Sequence, residues 1–431
     1  MPVARLREYD RIGVSPDGGI HHVTGGVRIP PDDFQALKTV YLEREDGEDV
    51  SAFLPCLWSR SEALQARSYV GVVVTPSGLV VEILPKTVSG NDEAAREREQ
   101  RVLVTMLGVL PQFSFRLFRQ GLLATGDMPL LEVFLHCFVQ EVTLLVRRGV
   151  ASDYVSVEEN SRFLRGRLLV AQHLRHNAAH RERFYVRHDE FLPNRPENRL
   201  IKAALLLALR LSRNAHNRRL CKLNLRAFEA VPPSTQVDAD RTRCRRDRNL
   251  RHYDTALVWC GILLDGKTPV PAAGRLKCFS VLFSMHSLFE KYVATVLRKR
   301  LDPEGWKLRE NPRDHSLVEG HNGQPLYTLK PDLILRREQA FVVADTKWKR
   351  IKKAGDISRD DLLQLFAYSE KYLGAGGRGA RGPCFLIYPK TEDFQRPLPP
   401  FHFGENRALL HAVPFDLEMG ECALMERLAG L

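Results

Sequence analysis

Residues 328–349 read TLKPDLILRREQAFVVADTKWK: two apolar strands joined by a short polar turn, each ending in charge that an apolar sheet should reject. Folded as a hairpin about Glu338-Gln339, the segment sets Arg337 opposite Ala340 and Asp332 opposite Asp345. Directly opposed residues of antiparallel strands carry Cβ atoms roughly 5 Å apart, a span one divalent ion can bridge. Lys347 lies two residues past Asp345, and the strand period of two puts it on the same face. Two carboxylates and an ammonium therefore converge on one side of a sheet. Oxygen ligands of this kind suit Mg2+, and the cation beside them suits an attacked phosphate. A strand-edge ion pair between Lys347 and Asp345 is the alternative that needs no chemistry.

Pro331-Asp332 and Asp345-Thr346-Lys347 resemble the two halves of the PD-(D/E)xK signature of restriction-type nucleases. Upstream, VLFSMHSLFEKYVATVLRKRL (281–301) has Val281, Met285, Leu288, Phe289, Tyr292, Val296 and Leu297 at spacings of three and four, which predicts an amphipathic helix. Glu290 shares a face with Val293, Ala294 and Leu297 at the edge of that stripe. A carboxylate there needs a partner, either a third metal contact or a structural salt bridge. Downstream, Ser358 with Asp361 reads as a capping box opening a helix through about Leu373, with Gly374 ending it. Gln364 and Tyr368 stand one turn apart on that helix. They resemble the QxxxY element that follows the lysine in many nucleases of this class, although a packing pair has the same spacing.

At 431 residues the chain exceeds one ordinary core and predicts two or three domains. No apolar run approaches the roughly 18 residues of a membrane span, and MPVARLREYD has no signal-peptide core. Eight cysteines are scattered with no CxxC pair, as expected of reduced thiols in a cytoplasmic protein and unlike an iron–sulfur site. A net charge of +12 fits a polyanionic partner such as double-stranded DNA. The charge clusters. RTRCRRDRNLR (241–251) holds Arg241, Arg243, Arg245, Arg246, Arg248 and Arg251, and KWKRIKK (347–353) adds Lys349, Arg350, Lys352, Lys353 and Trp348 around the key lysine. The arginines and lysines named here are the candidate DNA-backbone contacts; a solvated charged face is the alternative.

The expected class is α+β or α/β, multidomain. Residues 1–127 read as strand-rich, with a hairpin in SYVGVVVTPSGLVVEILPKTV (68–88). From Met128 the period changes, and helices are expected at 128–148, 198–213 and 251–264, making 128–274 a helical middle region that ends in the linker DGKTPVPAAG (265–274). Residues 275–431 should form a restriction-endonuclease-like mixed sheet flanked by helices. Residues 261–268 fit the P-loop pattern GxxxxGK[ST], but a helix precedes them and Pro269 and Pro271 follow, the wrong context for a phosphate cradle. Residues 374–379 fit GxGxxG but lie after a helix and before a strand, the reverse of a dinucleotide turn. No nucleotide cofactor is expected on this chain.

Together these pieces resemble McrC, the nuclease subunit of modification-dependent restriction systems that act with the AAA+ GTPase McrB. The resemblance runs from about residue 68 to 390. It is carried by Tyr69-Val70-Gly71, Ile83-Leu84-Pro85-Lys86, Gly149 through Tyr154, Leu164-Arg165-Gly166-Arg167-Leu168, Asp189-Glu190-Phe191, Asn198-Arg199-Leu200 and Leu288-Phe289-Glu290, besides the nuclease motif. It implies a Mg2+-dependent endonuclease of antiphage defence that cuts 5-methylcytosine DNA with a separate GTPase ring. The N-terminal part would contact that ring and stimulate GTP hydrolysis, and the partner would read the modified base. Asp332 and Asp345 would hold Mg2+ with the Thr346 carbonyl, and Glu290 would support the metal directly or through water. Lys347 would orient or help deprotonate the attacking water, with Gln364 and Tyr368 positioning the lysine or the phosphate. The rivals are a stand-alone DNA repair or processing nuclease of the same fold and a non-catalytic DNA-binding adaptor that regulates a GTPase. The intact Asp/Asp/Lys set argues against the adaptor.

Overall fold

The computed structural model describes residues 2–41, 53–59, 61–87, 93–110, 128–180, 182–244, 247–265, 278–322, 324–338, 340–373, 382–403 and 408–428. Gln339 of the expected turn, Arg245 and Arg246, the linker from 266 with the Gly266-Lys267-Thr268 end of the P-loop match, and Gly374 with the 374–379 glycines lie outside them. The chain is a mixed α/β protein with several sheets. Its contacts divide it into two compact units, Met1–Leu130 with Ala272–Leu431, and Leu131–Pro271. The first and last of the three segments expected from the sequence thus share one unit.

In the first unit, the 68–88 hairpin pairs Tyr69–Val74 with Val80–Leu84, Val74 opposite Val80. Both arms are buried almost throughout, as their Val and Ile content requires of a core strand. Val3–Arg7 joins one side in parallel and Phe279–Ser284 the other side antiparallel, completing a four-stranded sheet. A five-stranded sheet of residues 11–14, 21–23, 26–29, 53–58 and 61–66 packs its apolar face, Ile12, Val27, Phe53 and Leu64, into the same core as Leu6, Val81 and Ile83.

The strand Phe279–Ser284 corrects the helix expected from 281. Val281 and Met285 are four apart, which suits a helix, but Phe279 and Val281 are also alternating buried residues of a strand. The open edge of Tyr69–Val74 decides between the two, since its backbone groups need partners. Met285–Leu301 is the helix, with Ser284 extended at its N-cap.

The larger sheet runs Lys307–Glu310, Leu333–Arg337, Ala340–Thr346, Cys384–Pro389, Leu409–Asp416, Phe401–His402. Its first pairings are antiparallel, while Ala340–Thr346, Cys384–Pro389 and Leu409–Asp416 run parallel. A parallel step requires a crossover, and the helix Arg359–Tyr368 lies within it, continued by a π turn over Ser369–Leu373. Leu365 and Tyr368 bury that helix against Val343, Leu386 and Leu410. Phe289 of Met285–Leu301 meets Trp348 and Phe415, with ring centroids 5.3 and 6.1 Å away.

The second unit contains the expected helices as Leu130–Arg148, which begins at the boundary, Pro196–Leu211 and Asp254–Asp265, besides Ala215–Ala227. It is not helical throughout. Asp153–Ser161, Arg167–Leu168 and Phe184–Leu192 form an antiparallel sheet in the order second, third, first. That sheet escaped the sequence reading because it is largely exposed and so lacks a sharp apolar alternation. Gly261, first residue of the P-loop match, lies inside the helix Asp254–Asp265. All eight cysteines are free thiols. Among the described residues no helix is long and apolar enough to cross a membrane.

Candidate functional site

Leu333 pairs with Ala344 and Arg337 with Ala340, the register that sets Asp332 across from Asp345. Glu338 makes the turn in the left-handed region, φ 52°. Thr346 then fixes Asp332 from the opposing strand: its backbone N–H and its hydroxyl donate to the same Asp332 oxygen, Oδ2, at 2.7 and 2.6 Å. Lys347 Nζ lies 2.7 Å from Asp345 Oδ2 and donates to Gln364 Oε1 at 2.8 Å. Gln364 Nε2 donates to the Tyr368 hydroxyl at 2.7 Å, which donates to the Lys330 carbonyl at 2.9 Å. The helical spacing of Gln364 and Tyr368 thus becomes a relay from the lysine back to the strand that carries Asp332.

The two carboxylates strain each other. Asp345 is 2 % exposed. Burial, then the charge of Asp332, pushes its carboxyl up to about 7, against the pull of Lys347. Asp332 is also raised, by burial, although the two Thr346 donors oppose the shift. Burial works against the charge of Lys347, yet Asp345 beside it leaves a net rise. The 2.7 Å contact with Lys347 gives Asp345 Oδ2 a charge partner, and it does not offset the burial. Paired buried carboxylates of this kind fit a hard divalent cation, which would relieve both the burial and the repulsion.

Glu290 stands beside this set rather than in it. Its Oε1 accepts from Asn311 Nδ2 at 2.5 Å, and its carboxyl is raised by burial and then by Asp332. Among the described residues no three His, Cys, Asp or Glu side chains converge as a metal cage. The protein donors that converge are the two aspartates.

Four neighbours were not read from the sequence as members of the catalytic set. Asn311 holds Glu290. Asp361 is buried; its Oδ2 takes Lys349 Nζ at 2.8 Å, and its Oδ1 lies 3.9 Å from Lys347 Nζ. Its N–H donates to Ser358 Oγ at 3.1 Å, so the expected capping box is half made: the Asp361 carboxylate turns to the lysines. His286, one turn before Glu290, is held toward its neutral form by burial and by Lys347 and Lys349. Trp348 is buried, and its indole N–H donates to both oxygens of Glu8, at 3.1 and 2.9 Å. A buried Asp three residues before the Gln was available as a clue. Asn311 lies too far from Glu290 in the chain to be read, and His286 and Trp348, though close to Glu290 and Lys347, belong to no pattern that marks them.

The candidate DNA contacts are mostly exposed. Lys352 pairs with Asp393 at 2.9 Å, while Arg350 and Lys353 are exposed beside it. In the second unit, Arg241, Arg243, Arg248 and Arg251 are exposed, with Arg241 3.8 Å from Asp238.

Residues 64–389 match the profile of the protein family described as McrBC 5-methylcytosine restriction system component. No curated protein matches the chain. Among solved structures, the chain is similar to one from the refined half-complex of the tetradecameric assembly of Thermococcus gammatolerans McrB AAA+ hexamers with bound McrC. The TM-score is 0.66 at 20% identity, over 96% of this chain and 94% of that one, a likeness of fold. A chain of the Thermococcus gammatolerans McrBC complex aligns with 72% of this chain and 89% of its own length, at 21% identity and a TM-score of 0.49.

Proposed function

This chain belongs to the McrBC 5-methylcytosine restriction system component family, and on that premise we propose that it is the DNA-cutting subunit, a Mg2+-dependent endodeoxyribonuclease. The observation that carries the reading is the register that opposes Asp332 and Asp345, with Lys347 beside Asp345. Asp332, Asp345 and the Thr346 carbonyl would hold the metal, with Glu290 acting through water. A Mg2+ there supplies positive charge that polarises the attacked phosphodiester. Thr346 keeps Asp332 oriented with its two donors. Lys347, aimed by Gln364, offsets the negative charge that develops on the phosphoryl oxygens and orients the attacking water. Tyr368 holds Gln364 in turn, so the ammonium is set before substrate arrives.

The partner in this reading is an AAA+ GTPase of the McrB type. The family match supports it, as does the fold likeness to a chain from an assembly of McrB hexamers with bound McrC. In this reading the partner holds the GTP, in keeping with Gly261, the first glycine of the P-loop match, lying inside the helix Asp254–Asp265. Residues 1–127 would dock on the ring and stimulate its GTP hydrolysis. The substrate would be methylated double-stranded DNA in the cytoplasm, and the biological role restriction of invading DNA.

The test is cleavage of methylated DNA by this chain with a GTPase encoded beside it. Cutting should need Mg2+ and GTP. Asp345→Ala should abolish it while leaving stimulation of GTP hydrolysis intact. Undiminished cutting by Asp345→Ala would reject the site, and cutting without any GTPase would favour a stand-alone nuclease.

A further inference from the structure

Just past Lys347 the first unit contains a cavity of about 320 Å3, walled by Trp348, Tyr9 and Pro389. That volume falls at the lower end of small-molecule sites, roughly 300–1,000 Å3. Its lining is unusual in one respect. Tyr9 is half exposed there, so an aromatic face stands open beside cationic side chains. An open aromatic face rimmed by cations suits a ligand with a planar apolar part and a negative charge. Lys86, Lys349 and Arg350 add positive charge to the lining. The one carboxylate there, Glu8, is already engaged by Trp348 and by the Lys86 backbone N–H at 3.3 Å.

We propose that this cavity takes one unstacked nucleotide of the DNA strand being cut, its base against Trp348 and Tyr9 and its phosphate on Lys349 and Arg350. The identity of that strand rests on the nuclease reading above. Lys349 lies two residues beyond Lys347, at most about 7 Å of chain, so a phosphate on Lys349 neighbours the attacked one. Glu8 repels a phosphate and so places the base at the inner end. Aromatic walls stack on any base. The site therefore holds a flanking nucleotide without reading its identity. A cavity filled only with water is the competing account.

Two variants alter the cavity without touching the proposed catalytic set. Thr391→Trp, at a lining residue, narrows it. Tyr9→Gly removes a wall at a residue whose φ of 66° suits glycine, so the fold should tolerate it. The full-length chain is titrated calorimetrically with deoxyadenosine 5′-monophosphate, deoxyadenosine and inorganic phosphate. The nucleotide should bind roughly tenfold more tightly than either part, and each variant should weaken it roughly tenfold. Asp345→Ala should bind it like the wild type. In DNA, 2-aminopurine scanned along the strand should brighten at one position beside the cut, and less so in Tyr9→Gly. No saturable nucleotide binding, or binding unchanged in both variants, leaves a water-filled gap and overturns the proposal. Variant-sensitive binding by a chain that never cuts DNA would keep the nucleotide site and remove the nuclease reading.

Discussion

Glu8 is 1 % exposed, and burial pushes its carboxyl from 4.5 up to about 7, more than the Trp348 and Lys86 hydrogen bonds pull it down. A carboxyl whose pKa is raised in the folded state gives its full contribution to stability below the unfolded value and loses it as pH rises through the folded one. Stability of the wild type should therefore fall between pH 4.5 and about 7. Glu8→Gln keeps an acceptor for the indole and removes the titration. It should be more stable than the wild type by on the order of 2–3 kcal/mol above pH 7.5, and the gap should close toward pH 4. Melting curves across that range decide it; a gap that stays constant with pH would contradict the assignment. Glu8 also marks how far the sequence speaks for single residues. Asp332, Asp345 and Lys347 are legible because alternation and one turn fix their register. Glu8 is invisible because its partner Trp348 is 340 positions away. Asn311, which holds Glu290, is likewise set by a distant turn with φ 47° and no local pattern.

The strand Tyr69–Val74 must let Phe279–Ser284 come very close at Gly71. There φ is 136°, and a Cβ would sit 2.1 Å from the Val281 carbonyl oxygen. Both the backbone conformation and the space exclude a side chain. Gly71→Ala should cost about 3 kcal/mol, through strain at that angle and displacement of the edge strand. The measurement is the urea midpoint at constant slope, and a midpoint equal to wild type would rule the close approach out. At this scale the sequence was strong on long periodic elements, such as Leu130–Arg148 and the 69–84 hairpin. It failed where two periods overlap: residues 281–285 satisfy a helix and a strand at once, and only the distant edge at Tyr69–Val74 chooses between them.

Over the whole chain, the first unit is discontinuous, built from residues before 131 and after 271. No local pattern announces that, because pairings such as Tyr69–Val74 with Phe279–Ser284 join segments about 200 residues apart. A fragment starting near 275 would lose the sheet partner of its first strand and the acceptor of Trp348. We expect it to show no cooperative thermal transition by circular dichroism; a sharp transition would make residues 275–431 a domain in its own right. The arginine run belongs to the second unit. If its exposed arginines track DNA phosphates, neutralising Arg241, Arg243 and Arg248 should weaken binding to all sequences alike. It should also flatten log affinity against log salt by roughly three units, about 0.9 per contact. An unchanged slope leaves them a solvated face. The split unit also sets an order of birth. As the chain is synthesised, the hairpin 69–84 emerges about 200 residues before the strand that closes its edge, a wait of roughly 10–40 s at 5–20 residues per second. Throughout that interval the intervening segment can fold by itself while a Val-rich sheet edge stays open. Slow translation or a scarcity of holding chaperones should therefore harm the yield of this protein more than its final stability would suggest.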